Sequence, residues 1–188
     1  HTVYLNKIKV TKMKIAITGH KKGIGQAFAK QLEQRGHTIV GISRSEGENI
    51  RRVKHTASLI ESCDLFINNA ISQYAQTELF FEVWQRWKGQ RKWIWNIGSI
   101  VSILPKVPEE QAEYRIQKVA LDESSKQLQN LSSWPKITVI RPGHINTQGR
   151  GGADVDVWVK SVLNAFNTDK EIHITELSIG PIDQRIPI

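Results

Sequence analysis

The sequence predicts an α/β protein built on one doubly wound parallel sheet flanked by helices. Three observations carry this. Short apolar runs alternate with longer stretches of helical period along the chain, and strands that alternate with helices pair in parallel through right-handed crossovers. A glycine-rich turn, Thr18-Gly19-His20-Lys21-Lys22-Gly23-Ile24-Gly25, joins the first apolar run to the first helix. Breakers at Gly36, Gly89, Trp134-Pro135 and Arg141-Pro142-Gly143 punctuate the elements.

The elements follow in order. Lys14 begins the first strand, whose apolar run is Ile15 to Ile17. Residues 26–35 read as a helix with Phe28, Ala29 and Leu32 on one face, stopped by Gly36. Residues 37–42 are a second buried strand. Between Arg44 and Asp64 lie a polar stretch and one short helix, with room only for a brief third strand at 49–51. Residues 64–68 form a better strand. Residues 77–88 are helical, with Leu79, Phe80, Val83, Trp84 and Trp87 on one face, a core or subunit-interface surface. Strand 93–97, a long helix over 109–131, strand 137–140, a last helix over 155–166 and a closing strand at 172–177 complete the pattern. Val155, Val159, Val162, Leu163 and Phe166 form the inner side of the last helix. There are no internal repeats and no low-complexity segments.

At 188 residues the chain is long enough for one domain with a real core. No run of about 18 apolar residues exists, so no membrane association is expected. No secretory signal is evident, and the expected compartment is the cytoplasm. The only methionine is Met13. Residues 1–12 therefore read as a leader or tag outside the fold, and 13–188 as a single nucleotide-binding domain. The one cysteine, Cys63, excludes an internal disulfide and reads as a small core residue. The net charge of +8 comes from scattered cations, without a long basic tract or a nucleic-acid signature. Nucleic acid is not an expected partner, and no metal site is expected.

A glycine turn between strand and helix is a phosphate cradle. The glycines allow close backbone approach, and the free N–H groups of the helix start face the anion. No Lys-Ser or Lys-Thr follows the last glycine, so this is not a Walker loop. An NAD site would place Asp or Glu at the end of the second strand, against the ribose hydroxyls. Here the chain has Ser43-Arg44-Ser45, with Lys22 in the turn, which leaves no carboxylate to repel a phosphate. NADP(H) is expected over NAD(H). Further along, Tyr114 and Lys118 lie four apart on the long helix, so they share a face. An ammonium near the phenol is expected to lower its pKa and make it a proton donor and acceptor near neutral pH. Ser99 stands at the carboxyl end of a strand, where open α/β sheets place ligands.

Together these pieces resemble the short-chain dehydrogenase/reductase family. Thr18-Gly19, Gly23 and Gly25 match its cofactor glycines, with His20, Lys21, Lys22 and Ile24 inside the same turn. Asn68-Asn69-Ala70 is similar to its strand-ending asparagine motif, Asn96-Ile97-Gly98-Ser99 to the segment with its serine, and Tyr114 and Lys118 to its tyrosine and lysine. Arg141-Pro142-Gly143, with Ile145 and Thr147 beyond, resembles the segment facing the nicotinamide.

The resemblance implies a single Rossmann-like domain. It implies an oxidoreductase that moves a hydride between NADP(H) and a small-molecule carbonyl/alcohol pair, acting as a homodimer or homotetramer. Ser99 would hold the substrate oxygen, Tyr114 would transfer its proton, and Lys118 would bind the nicotinamide ribose and tune Tyr114. Ser43, Arg44, Ser45, Asn69 and Ala70 join the expected cofactor contacts. The chain also departs from the family. It is short around the third strand, and Ile71 replaces the glycine after Asn-Asn-Ala. No asparagine lies between Asn69 and Asn96 to serve the proton relay. Only Gln148 to Asp154 remains of the substrate cover, and Gly149, Gly151 and Gly152 suggest a mobile remnant. Ser102 is an alternative to Ser99. A catalytically weak or inactive dinucleotide-binding sensor or scaffold is the competing expectation.

Overall fold

The computed structural model describes residues 12–147, 149, 151–167 and 171–182. The leader expected over 1–12 lies outside them, apart from residue 12. Six parallel strands form one sheet in the order β2-β1-β3-β4-β5-β8. They are β1 (Lys14–Thr18), β2 (Thr38–Ile42), β3 (Leu65–Asn68), β4 (Trp93–Ile97), β5 (Lys136–Pro142) and β8 (Glu176–Ile179). A separate parallel pair, β6 (Ile145–Asn146) and β7 (Ala153–Asp154), follows β5. The helices are α1 (Gly23–Gln34), α2 (Val53–Ile60), α3 (Ala75–Trp87), α4 (Ala112–Leu131) and α5 (Val155–Ala165).

Side chains alternate across the strands and so feed two cores. Ile15, Ile17, Ile67, Trp95 and Ile140 pack under α1 and α5. Ala16, Phe66, Ile94 and Ile137 pack under α2, α3 and α4. The aromatic face of α3 is wholly consumed here. Leu79, Phe80, Val83, Trp84 and Trp87 are buried against their own chain, so this face is core and does not serve a subunit interface. Cys63 is fully buried, and burial pushes its thiol pKa up.

Three expected boundaries are corrected. No strand forms at 49–51. The Asn49 carbonyl accepts from the Arg52 N–H and the Thr56 hydroxyl, and the Asn49 side chain accepts from the Arg51 N–H. These bonds make the segment the entry turn of α2, anchored by buried Ile50. Helix α1 starts three residues early, at Gly23, because its glycines are required by close approach rather than by a break. The closing strand begins at Glu176 instead of Ile172. Ahead of it, the Ile174 carbonyl takes its hydrogen bond from the Thr138 hydroxyl at 2.6 Å, and the His173 ring lies 3.0 Å from the Ile137 carbonyl. Side chains hold His173 and Ile174, and the ladder begins where the Thr175 carbonyl accepts from the Val139 N–H at 3.0 Å.

Candidate cofactor and catalytic site

The carboxyl ends of β1, β3, β4 and β5 form one crevice edge. At β1, Gly19 has φ 72° and Gly23 φ 54°, values that disfavour any side chain. A Cβ on Gly25 would overlap the Gly19 carbonyl, so the helix start can fold back on the strand end only with glycine there. Thr18 fixes this turn to the next strand. Its buried hydroxyl accepts from the Asn69 and Ala70 N–H groups at 2.9 and 3.0 Å, and the Asn69 amide donates to the Thr18 carbonyl at 3.0 Å. From β5, Gly143 N–H donates to the Ile179 carbonyl. Thr147 reaches over Gly23, where a Cβ would stand 3.4 Å from its side chain. Ile145 is part-buried against the α1/α5 core. The expected members Gly19, Gly23, Gly25, Asn69, Ala70 and Thr147 are thus brought together. Of the glycines beyond Thr147, Gly149 donates its N–H to Asn146 Oδ1 at 2.6 Å, and past Gly151 and Gly152 the Ala153 N–H donates to the His144 carbonyl at 3.0 Å. These glycines are explained by φ values of 74, 83 and 95°.

At the end of β2 the expectation of a carboxylate-free site is overturned. A 3-10 turn over Arg44–Glu46 carries the Glu46 side chain back to the glycine turn. Its carboxylate lies 2.5 Å from Lys21 Nζ and 3.2 Å from His20 Nε2, and accepts from the Ser43 hydroxyl at 3.4 Å. The Lys21 hydrogen bond is the main cause holding the Glu46 carboxyl below its usual pKa, with His20 and Ser43 adding to it. The Ser43 and Ser45 hydroxyls are 2.8 Å apart. Among the described residues, the Lys22 and Arg44 side chains make no ion pair and do not join this group.

The catalytic candidates sit where β4 meets α4. Ser99 and Tyr114 face each other; burial raises the Tyr114 pKa, and the nearby Ser99 hydroxyl offsets part of the rise. Ser102 is otherwise engaged, 2.6 Å from Asp122 Oδ2 and 2.8 Å from the Ser99 carbonyl. Lys118 points inward. It is 2% exposed and donates to Gln76 Oε1 at 2.9 Å and the Ile97 carbonyl at 2.8 Å, with Nζ 5.7 Å from the Tyr114 ring centre. Burial among neutral acceptors lowers its pKa to about 7, against an opposing effect of Asp122. The expected lowering of Tyr114 by an ammonium is therefore not what this arrangement produces: the phenol rises, and the amine is half neutral near pH 7.

No family model matches the chain. By sequence it is similar to an NADPH-dependent pterin aldehyde reductase of Arabidopsis thaliana, 34% identical over 68 residues, which are 34% of this chain and 28% of that protein. It is also similar to an 11-beta-hydroxysteroid dehydrogenase B of Sesamum indicum, 32% identical over 92 residues, 42% of this chain and 25% of that protein. The match thus spans about a quarter of the length of either relative. By structure it is similar to a serine dehydrogenase from Escherichia coli, with TM-score 0.74 and 17% identity over 92% of this chain and all of that one. A short-chain dehydrogenase from Burkholderia cenocepacia in complex with NADP gives TM-score 0.74 and 18% identity over 91% of this chain and 89% of that one. The fold is that of the short-chain dehydrogenases.

Within that fold, the site holds residues that sequence reasoning passed over. Gln76 stands in the first turn of α3, 4% exposed, and its amide donates to the Asn68 and Ile97 carbonyls at 2.7 and 3.1 Å while accepting from Lys118. It fills the interior beside Lys118, where the sequence offers the short-chain dehydrogenase pattern no asparagine. Its signal was a lone amide at helical spacing from Leu79, Phe80 and Val83. Asp122, one turn beyond Lys118, pairs with Arg141 at 2.7 Å, and Arg141 pairs with Glu176 at 2.7 Å. A carboxylate on the inner face of a helix needs such a cation.

Proposed function

We propose that this chain binds NADP(H) in preference to NAD(H) and interconverts a small-molecule carbonyl and its alcohol. The supporting observation is Tyr114 placed beside both Ser99 and Lys118, on the crevice edge that carries the glycine turn. The cofactor would supply the hydride. The turn suits such a group, since the start of α1 has no side-chain cap and its N–H groups are left for an anion. Gly19, His20, Lys21, Lys22, Gly23, Ile24 and Gly25 would hold its phosphates, with Ser43, Arg44 and Ser45 at the 2′-phosphate. Asn69, Ala70, Pro142, Gly143, Ile145, Thr147 and Lys118 would complete the contacts. Ser99 orients the substrate oxygen through its hydroxyl. Tyr114, whose raised pKa keeps it protonated at neutral pH, donates its proton to that oxygen in the reductive direction.

Replacing Tyr114 by Phe tests this. The rate of NADPH oxidation over a panel of aldehydes, ketones and quinones should fall about 10²–10⁴-fold, the usual share of a positioned acid–base group, with the NADPH Kd unchanged. An unchanged rate defeats the mechanism.

One observation favours a second reading, a dinucleotide-binding sensor or scaffold with weak turnover. Lys118, assigned to the ribose and to Tyr114, spends its donors on Gln76 and Ile97. We also propose self-association as a homodimer through what α3 and α4 still expose, Phe81, Ile116 and Val119.

A further inference from the structure

We infer that the Glu46 carboxylate occupies the anion site of the cofactor's 2′-phosphate and is a built-in competitor for it, so that Glu46 sets the cofactor preference of the chain. The inference rests on the reading that a nicotinamide dinucleotide binds along the glycine turn.

Three groups from two elements converge on this one carboxylate: His20 and Lys21 from the glycine turn, and Ser43 from the end of β2. Ser45 extends the cluster through the Ser43 hydroxyl. Ammonium, imidazole and hydroxyl donors around one point are what a phosphate monoester requires. Two of the three are already fixed in place. Ser43 is buried, and the His20 ring packs over β2 at Gly41, where a Cβ would overlap it. The carboxylate they hold is by contrast easily displaced. Its side chain is 42% exposed, its ion pairs are of the weak surface kind, and it rides on a three-residue turn that ends at Gly47.

A dinucleotide carrying a 2′-phosphate therefore enters against a charge of its own sign and has to exchange places with it. One that lacks the phosphate can leave Glu46 where it is. The cations favour NADP(H), and Glu46 subtracts from that preference. Lys22 and Arg44, whose side chains are uncommitted among the described residues, remain to receive the phosphate once Glu46 has moved.

The test is Glu46→Gln, which keeps shape and removes charge at an exposed position where the fold is not at stake. Calorimetric titration of the full chain with 2′,5′-ADP, NADP+, 5′-AMP and NAD+ reads binding without turnover. The two 2′-phosphorylated ligands should bind roughly five- to tenfold more tightly to the variant, the size expected for losing one nearby like charge in high dielectric. Binding of 5′-AMP and NAD+ should stay within twofold. The proposal is overturned if NADP+ binds both proteins equally. It is also overturned if NAD+ weakens fivefold or more in the variant, which would make Glu46 a ribose ligand. Glu48→Gln, at a carboxylate paired with His55, controls for net charge, and an equal gain there overturns it too. If neither protein binds any of the four ligands, the dinucleotide reading falls and this one with it.

Discussion

The two halves of the crevice are made of different material. The nucleotide half, around β1 and α1, is backbone: a glycine turn whose shape is dictated by Gly19, Gly23 and Gly25, and locked by the Thr18 hydroxyl. The chemical half, around β4 and α4, is long side chains. Lys118, Gln76, Asn68, Asn96 and Ser125 are linked in a buried relay of hydrogen bonds. A backbone site has one shape and is ready before its ligand arrives. A side-chain group can be engaged within the protein before any ligand arrives, as Lys118 is. The first half is therefore broken by adding atoms, the second by changing partners or charge.

The largest effect should come from Lys118. Its folded pKa of about 7 lies below the ordinary lysine value of 10.5, so the unfolded chain binds more protons between these pH values and stability rises with pH across that window. At about 1.4 kcal/mol per pKa unit the swing is on the order of 5 kcal/mol. Urea unfolding from pH 6 to 10 should show this rise in the native chain and lose it in Lys118→Met. Parallel curves would mean that the amine is not buried neutral.

On the backbone side, Gly25→Val forces a side chain onto the Gly19 carbonyl. Overpacking of this kind should destabilise by about 1–3 kcal/mol, seen as a lower Tm, and remove measurable dinucleotide binding. Retained binding would break the contrast between the halves.

Gln76→Leu strips an acceptor from Lys118 and the donor from the Asn68 and Ile97 carbonyls. A loss of about 2 kcal/mol in chemical denaturation is expected, with the glycine turn's affinity for 5′-AMP unaltered. The mildest case is Thr18→Val, which leaves the Asn69 and Ala70 N–H groups without their acceptor and should cost about 1 kcal/mol in the same measurement. A larger loss than for Gln76→Leu would reverse the ranking.

The same division governs what the sequence discloses. Backbone needs are written in local residue types, so the glycine turn and the order of strands and helices were legible. The apolar period of α3 and α5 gave their inner faces directly. The brief strand at 49–51 failed because Asn49 spends its carbonyl and side chain on the start of α2, a capping role that its neighbours in sequence do not reveal. Side-chain partners are set by tertiary approach. Gln76 meets Lys118 from 42 residues away, and nothing adjacent to either announces it. Glu46 was hidden by a single short turn, since counting residues past a strand assumes that the chain goes on outward, and here it curls back.

Gly41 gives the molecule a dependency between distant positions. The face of β2 that a side chain would cover at this point is filled by the His20 ring. Residues 20 and 41 therefore exchange volume as a pair: a bulky partner at one demands none at the other. Among homologous chains, those that carry a side chain at 41 should carry a small residue at 20. Such chains would lose with the imidazole one of the donors facing position 46, so a substitution in the middle of a strand would be read out as a change in which nucleotide the protein accepts.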